Sequence, residues 1–234
     1  MRVLGNADFL NLWERGAGLH PLDRGLLALR TAVPETSGDS VADWPLGRRN
    51  RALAELRCTA FGPNLQGWLA CVRCGEKLEF AMDGRALIDV AGQPSSEPIV
   101  LRGHSFRLPT SRDLARAARV SDPRQAAICL LESCRVAAGE PLDWSEEDLE
   151  EAGQKMALAD PLAEIRLTLH CPSCGNQWDE TLDIAAFLWA EIEGRARRLL
   201  LEIHAIASAY GWTEREILSL SEPRRALYLE MART

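Results

Sequence analysis

Apolar residues recur along this chain in two rhythms. At the N-terminus, Phe9, Leu10, Leu12 and Trp13 lead to a Gly16-Ala17-Gly18 break, which predicts a helix and its end. Pro21 opens a second helix through Leu26, Leu27 and Leu29, because a first-turn proline loses no needed N–H. Residues 34–43 hold Pro, Thr, Ser, Gly and Asp and read as a loop. Residues 46–61 are helical again, with Leu46, Leu53, Leu56 and Ala60 on one side and Arg48, Arg49 and Arg51 facing water. The rhythm then shortens. Residues 65–71 and 77–82 read as two strands around a tight turn, 92–98 as a polar turn region, and 99–101 and 105–108 as further strand-like pieces.

Helix starts return at Thr110 with Asp113, at Asp122-Pro123 with Gln125, and at Ser145 with Asp148, each carrying a capping-box-like spacing. The second of these helices carries Ile128, Leu130, Leu131 and Val136. Residues 165–171 alternate like a strand, and 177–182 pair with them. Ile184, Phe187, Leu188, Ile192, Leu199, Ile203, Ile206 and Tyr210 then hold helical spacing over about seven turns. Glu191 with Arg195 and Glu193 with Arg197 stand in the favourable ion-pair order. Gly211 stops that helix, Thr213 with Glu216 caps a short one, and Ser221 caps the last. The fold class is therefore α+β and mainly α-helical: a small antiparallel zinc-ribbon element, an inserted helical lobe and a long C-terminal helix. The regions are 1–61 (helical), 62–109 with 163–182 (discontinuous β element), 110–162 (inserted lobe) and 183–234 (long helix and tail).

Composition narrows the function. The 234 residues suit one or two domains at about 150 residues each. An apolar share of 47% excludes a wholly disordered chain. No charge-free stretch approaches the ~18 apolar residues of a membrane helix. The N-terminal residues carry no apolar run, so no secretory signal is expected. A formal charge of −7 weighs against nucleic acid as the main partner, since phosphate neutralisation favours basic domains. Seven cysteines, an odd number, fit an all-disulfide framework poorly, and the expected compartment is the reducing cytosol.

Two segments share one plan. Cys71-Val72-Arg73-Cys74-Gly75 and Cys171-Pro172-Ser173-Cys174-Gly175 each sit between two strands. The two-residue gap lets both sulfurs reach one ion, and the glycine supplies a left-handed turn. Together Cys71, Cys74, Cys171 and Cys174 make four thiolates, the complement of one closed tetrahedral structural zinc. Such a site leaves no open position for catalysis. The competing reading is two redox or incidental pairs; Cys-Pro-Ser-Cys alone suggests a redox dithiol, whereas the repeat in hairpins is metal-like. The 96 residues between Cys74 and Cys171 exceed a compact ribbon's spacing, and the inserted lobe accounts for them. His170, beside Cys171, is a candidate to support a ligand cysteine or to replace one as ligand, while Cys58, Cys129 and Cys134 read as buried small hydrophobes.

Weaker signals remain. Arg112, Arg116 and Arg119 occupy one face of the helix at 111–119, with Arg102, Arg107 and Arg124 nearby, while residues 140–151 hold seven acids and no base. These segments are solvated, pair with one another, or dock an acidic partner. No phosphate loop, dinucleotide fingerprint or nucleophile motif appears, so no enzymatic activity is expected. The long helix is apolar over much of its circumference and packs within the chain or against a partner. Residues 184–231 are the expected partner-binding element, through Trp189, Tyr210, Trp212 and Tyr228.

The runs Glu202-Ile203-His204-Ala205-Ile206-Ala207, Tyr210-Gly211-Trp212-Thr213-Glu214-Arg215-Glu216-Ile217-Leu218 and Arg224-Arg225-Ala226-Leu227-Tyr228-Leu229 resemble the T-even-type phage baseplate hub protein and hub-assembly chaperone family. Leu12-Trp13-Glu14-Arg15-Gly16, His20-Pro21-Leu22-Asp23-Arg24, Gly47-Arg48-Arg49-Asn50 and Phe61-Gly62-Pro63 are similar to the versions in contractile injection system clusters. The resemblance implies a baseplate component or assembly chaperone of a phage tail-like particle. It would bind hub, spike or tube proteins, with zinc rigidifying the platform. The alternative is a zinc-ribbon nucleic-acid-binding or regulatory protein.

Overall fold

The computed structural model describes residues 1–33, 40–90, 95, 97–137, 139–140 and 142–232. In chain order the first elements are α1 (Asn6–Gly16), α2 (Pro21–Ala32), a 3-10 turn (Val41–Asp43), α3 (Leu46–Phe61), β1 (Asn64–Ala70), β2 (Lys77–Asp83) and α4 (Gly84–Val90). There follow β3 (Ile99–Leu101), β4 (His104–Phe106), α5 (Ser111–Ala117), α6 (Pro123–Cys134) and α7 (Glu146–Ala159). The chain closes with β5 (Arg166–His170), β6 (Gln177–Thr181), α8 (Ile184–Tyr210), α9 (Glu214–Ser219) and α10 (Glu222–Ala232). The molecule is mainly helical, and the described strands form three separate two-stranded antiparallel sheets. No helix among the described residues is long and apolar enough to cross a membrane. Residues 34–39 of the expected loop and 92–94 and 96 of the expected polar turn lie outside the described residues.

Two compact units emerge: Met1–Pro34 with Ala186–Thr234, and Glu35–Ala185. In the first, Asp8 accepts the N–H of Gly5 at the start of α1 at 2.8 Å and pairs with Arg2 at 2.7 Å, while the His20 ring caps α2 by accepting the Leu22 N–H at 3.3 Å. Leu12, Leu29, Leu188, Ile192, Leu199 and Ile206 are fully buried, the outcome of the helical spacing. Arg225 of α10 is also buried. Its guanidinium donates to Glu202 at 3.0 Å and to the Leu220 carbonyl at 2.7 Å, tying α10 to α8. Arg197 pairs with Glu193 as expected; Arg195 reaches Glu222 at 3.0 Å and Asn6 at 3.2 Å.

The second unit contains both knuckle hairpins. β1 pairs with β2 from Asn64↔Asp83 to Ala70↔Lys77, and β5 with β6 from Arg166↔Thr181 to His170↔Gln177. The β3–β4 hairpin, grouped with the knuckles on sequence, packs elsewhere. Ile99, Leu101 and Phe106 join Leu131, Cys134, Trp144 and Ala152 in the core of the inserted lobe. Phe106 meets the buried Trp144 edge-on at 5.8 Å between centroids, and the Trp144 N–H donates to Glu132 at 2.7 Å. α6 stops at Cys134, so Val136 lies beyond it and is exposed.

α3 departs most from expectation. Arg48 is exposed and lies over the Trp44 ring at 4.2 Å, but Arg49 and Arg51 are half-buried and Arg57 is buried. Burial lowers the Arg49 pKa, and the charges of Asp183 and Asp160 oppose the effect. The start of this helix holds both ends of the insertion. Leu46 N–H donates to the Pro109 carbonyl at 3.0 Å, Gly47 N–H to Asp160 at 2.8 Å, and Asn50 to the Leu162 carbonyl at 2.8 Å. Arg49 adds a 3.2 Å bond to Ser111. A buried carboxylate from 113 residues away thus serves one of the orphan N–H groups, that of Gly47, which α3, preceded by Pro45, cannot cap itself.

Candidate metal centre

Each knuckle is built by the same backbone bonds. The Cys71 carbonyl accepts the Gly75 N–H at 2.9 Å, and the Cys71 N–H donates to the Glu76 carbonyl at 2.8 Å. Cys171 repeats both with Gly175 at 2.9 Å and Asn176 at 2.8 Å. Gly75 and Gly175 hold φ of +75° and +69°, the left-handed turn that the sequence assigned to glycine there. Each turn folds its second cysteine back beside the first.

The α3 bonds and the two hairpins bring the knuckles face to face. All four sulfurs of Cys71, Cys74, Cys171 and Cys174 lie within 4.8 Å of one another. Across the knuckles, Cys71 Sγ stands 3.7 Å from Cys174 Sγ, and Cys74 Sγ 3.6 Å from Cys171 Sγ. A tetrahedral ion with metal–sulfur bonds of about 2.3 Å separates its sulfurs by about 3.8 Å, so this donor set fits one such ion. Cys71 and Cys171 are buried, Cys174 is half-buried and Cys74 is exposed. Burial opposes ionisation of Cys71, but N–H bonds from Cys74 and Arg73 and the nearby thiols outweigh it and lower its pKa. At Cys74 the Glu76 N–H favours the thiolate, yet burial and the three other sulfurs together raise the pKa. The arrangement is a pocket for a soft cation: four convergent sulfurs, two of them shielded from water.

No family model, curated protein or solved structure matches the chain.

The remaining sequence candidates fall in different places. His170 is exposed at the end of β5, and the metal-capable cluster among the described residues consists of the four cysteines. Cys134 is buried, and burial raises its thiol to about 11, whereas Cys58 and Cys129 are only half-buried. α5 ends at Ala117, so Arg119 does not share a helical face with Arg112 and Arg116. Arg112 pairs with Asp43 and Arg107 with Asp113; the acidic segment instead meets Arg102, through Asp148 at 3.1 Å, and Arg124, through Glu146 at 3.6 Å.

The four aromatic candidates divide. Trp189 is buried, packed on Gly16, with the Arg24 guanidinium 5.0 Å from its ring centroid. It is part of the core and not a surface anchor. Tyr210, Trp212 and Tyr228 form one cluster, with centroid separations of 5.1, 5.6 and 4.8 Å, and keep part of their surface open to solvent. Leu227 and Met231 on α10 are exposed at 59% and 55%. Sequence reasoning passed over Trp68, which is 64% exposed on β1 with Lys77 Nζ 4.3 Å from its ring centroid. Its signal was its place on the solvent side of the alternating strand, opposite Glu79.

Proposed function

We propose that this chain is a non-catalytic baseplate hub component or hub-assembly chaperone of a contractile, phage tail-like injection particle. It works through protein–protein contact, and a zinc ion held by Cys71, Cys74, Cys171 and Cys174 staples its two knuckles. Bound there, zinc supplies structure rather than chemistry, because four thiolates leave no coordination position for water or substrate. The family part of the reading rests on the C-terminal and N-terminal sequence runs that resemble the hub proteins.

The observation that carries contact as the mode of action is the Tyr210–Trp212–Tyr228 cluster beside exposed Leu227 and Met231. Aromatic anchors of this kind dominate binding energy, and truncating one costs about 2 kcal/mol or more of affinity when it fills a partner's pocket. The test is co-purification from cells that carry the whole particle gene cluster, read by mass spectrometry. Trp212→Ala and Tyr228→Ala are expected to lose baseplate proteins while their melting curves stay close to the parent. Normal co-purification by both variants refutes the assignment.

One observation favours the second reading, a nucleic-acid-binding ribbon. Trp68 with Lys77 above it offers a stacking face and a cation on a knuckle hairpin. Salt-dependent binding to single-stranded DNA or RNA that Trp68→Ala abolishes would support it over the hub reading.

A further inference from the structure

The four sulfurs are not equally protected. Cys71 and Cys171 are 3% and 0% exposed, Cys174 is half-buried, and Cys74 is exposed. A side chain added at Gly75 would meet open space, and Arg73 and Glu76 beside it are exposed. Across the site Cys171 Sγ lies 3.6 Å from Cys74 Sγ, and a disulfide forms when the two sulfurs close to about 2.05 Å. A metal-bound sulfur is a thiolate, and oxidation of thiolates follows exposure.

We propose that this centre is a peroxide-sensitive switch in which Cys74 is the attacked sulfur and Cys171 the resolving one. The inference rests on the metal reading above. The Cys74 thiolate attacks one oxygen of hydrogen peroxide, and the O–O bond breaks. Hydroxide leaves, and the sulfur, oxidised by two electrons, becomes a sulfenic acid. The Cys171 thiolate then attacks the Cys74 sulfur; the S–S bond forms, the S–O bond breaks and a second hydroxide leaves. Two thiolates and one peroxide give one disulfide and two hydroxides. The ion keeps two of its four ligands and dissociates, while the new bond joins knuckles that lie 97 residues apart in the chain. The metal staple is thus exchanged for a covalent one, and the hairpins stay together while the ion is released.

The experiment uses the full-length, zinc-loaded protein. It is titrated with hydrogen peroxide, release is followed with a chromophoric zinc chelator, and disulfides are mapped by peptide mass spectrometry. Loss of one zinc per chain in step with a Cys74–Cys171 linkage is expected, and Cys129→Ala should leave the rate within twofold of the parent. On gentle alkylation of the loaded protein, Cys74 should be the first of the four ligands labelled. A Cys71–Cys74 disulfide, zinc retained at peroxide levels that oxidise Cys58 or Cys129, or another ligand labelled first would each overturn the proposal while leaving the metal reading intact. Protein purified without chelator that contains no metal would overturn both.

Discussion

Gly16→Ala tests whether Trp189 belongs to the core. A Cβ at position 16 would fall closest to Cη2 of the Trp189 ring and 2.7 Å from both Cζ2 and Cζ3, more than about 1 Å inside ordinary carbon–carbon contact. The ring has little room to retreat. It is 6% exposed, and Arg24, at 5.0 Å from the ring centroid, is itself anchored by bonds to the Gly16 and Ala17 carbonyls at 3.0 and 2.9 Å. Overpacking of this kind costs about 1–3 kcal/mol. Replacing a helical glycine with alanine returns about 0.5–1 kcal/mol of backbone entropy. The difference is a net loss of up to about 2.5 kcal/mol, measurable as a lower urea midpoint by far-UV circular dichroism with an unchanged slope. The sharper readout is a cycle with Trp189→Ala. With the ring gone, which itself costs about 3–5 kcal/mol, the added methyl meets no obstacle, and Gly16→Ala becomes neutral or stabilising. The same effect in both backgrounds would show that the ring does not sit on Gly16, and the case for Trp189 as a surface anchor would reopen.

Three further outcomes are expected. Cys171→Ser, or a strong chelator, should lower the melting temperature far more than Cys129→Ala, whose cost is about 1 kcal/mol, because an incomplete site forfeits the binding energy linked to folding; equal losses in calorimetry would contradict the division of the cysteines. The second concerns acid. Burial works against the Asp113 carboxylate, but Arg107 and Thr110 outweigh it and hold its pKa at about 2. A carboxylate with a depressed folded pKa contributes stability that is present above about pH 4 and lost as the pH falls toward 2. The contribution is at most about 2 kcal/mol, reduced by the half-exposed Arg107, so Asp113→Asn should flatten the parent's loss of stability between pH 5 and 2.5 in urea titrations. Third, Asp160→Ala should cost about 1–2 kcal/mol through the lost cap of α3 and should weaken zinc binding measured by chelator competition, whereas an unchanged zinc affinity would separate the clamp from the metal centre.

The knuckles and helix starts were legible because their causes are local. Cys-x-x-Cys-Gly needs only its own backbone to form, and the boxes at Thr110, Ser145 and Thr213 recur in the structure as read. What escaped was decided at long range. α4 begins with Gly84, whose N–H donates to the Pro63 carbonyl at 2.7 Å, a tertiary bond with no counterpart in local pattern. Arg49 reads as facing water, yet it is half-buried and bonds to Ser111, and Arg57 and Arg225, on which the pattern is silent, are buried with the Gly62 carbonyl and Glu202 as partners. The β3–β4 hairpin shows the same limit. Its alternation announced two strands but not which core their apolar faces would join.

The clamp at the start of α3 has an engineering consequence. Two consecutive residues, Leu46 and Gly47, hold the departing segment at Pro109 and the returning helix end at Asp160. The lobe therefore leaves and rejoins the body at neighbouring points on one helix end, in the manner of a cassette. At this helix end a graft must keep Pro109, Asp160 and the Leu162–Ala163 carbonyls that Asn50 reads. A foreign module whose termini lie equally close could take the lobe's place only if it also covers or replaces the β3–β4 hairpin, because Ile99, Leu101 and Phe106 share the lobe's core with Leu131, Trp144 and Ala152.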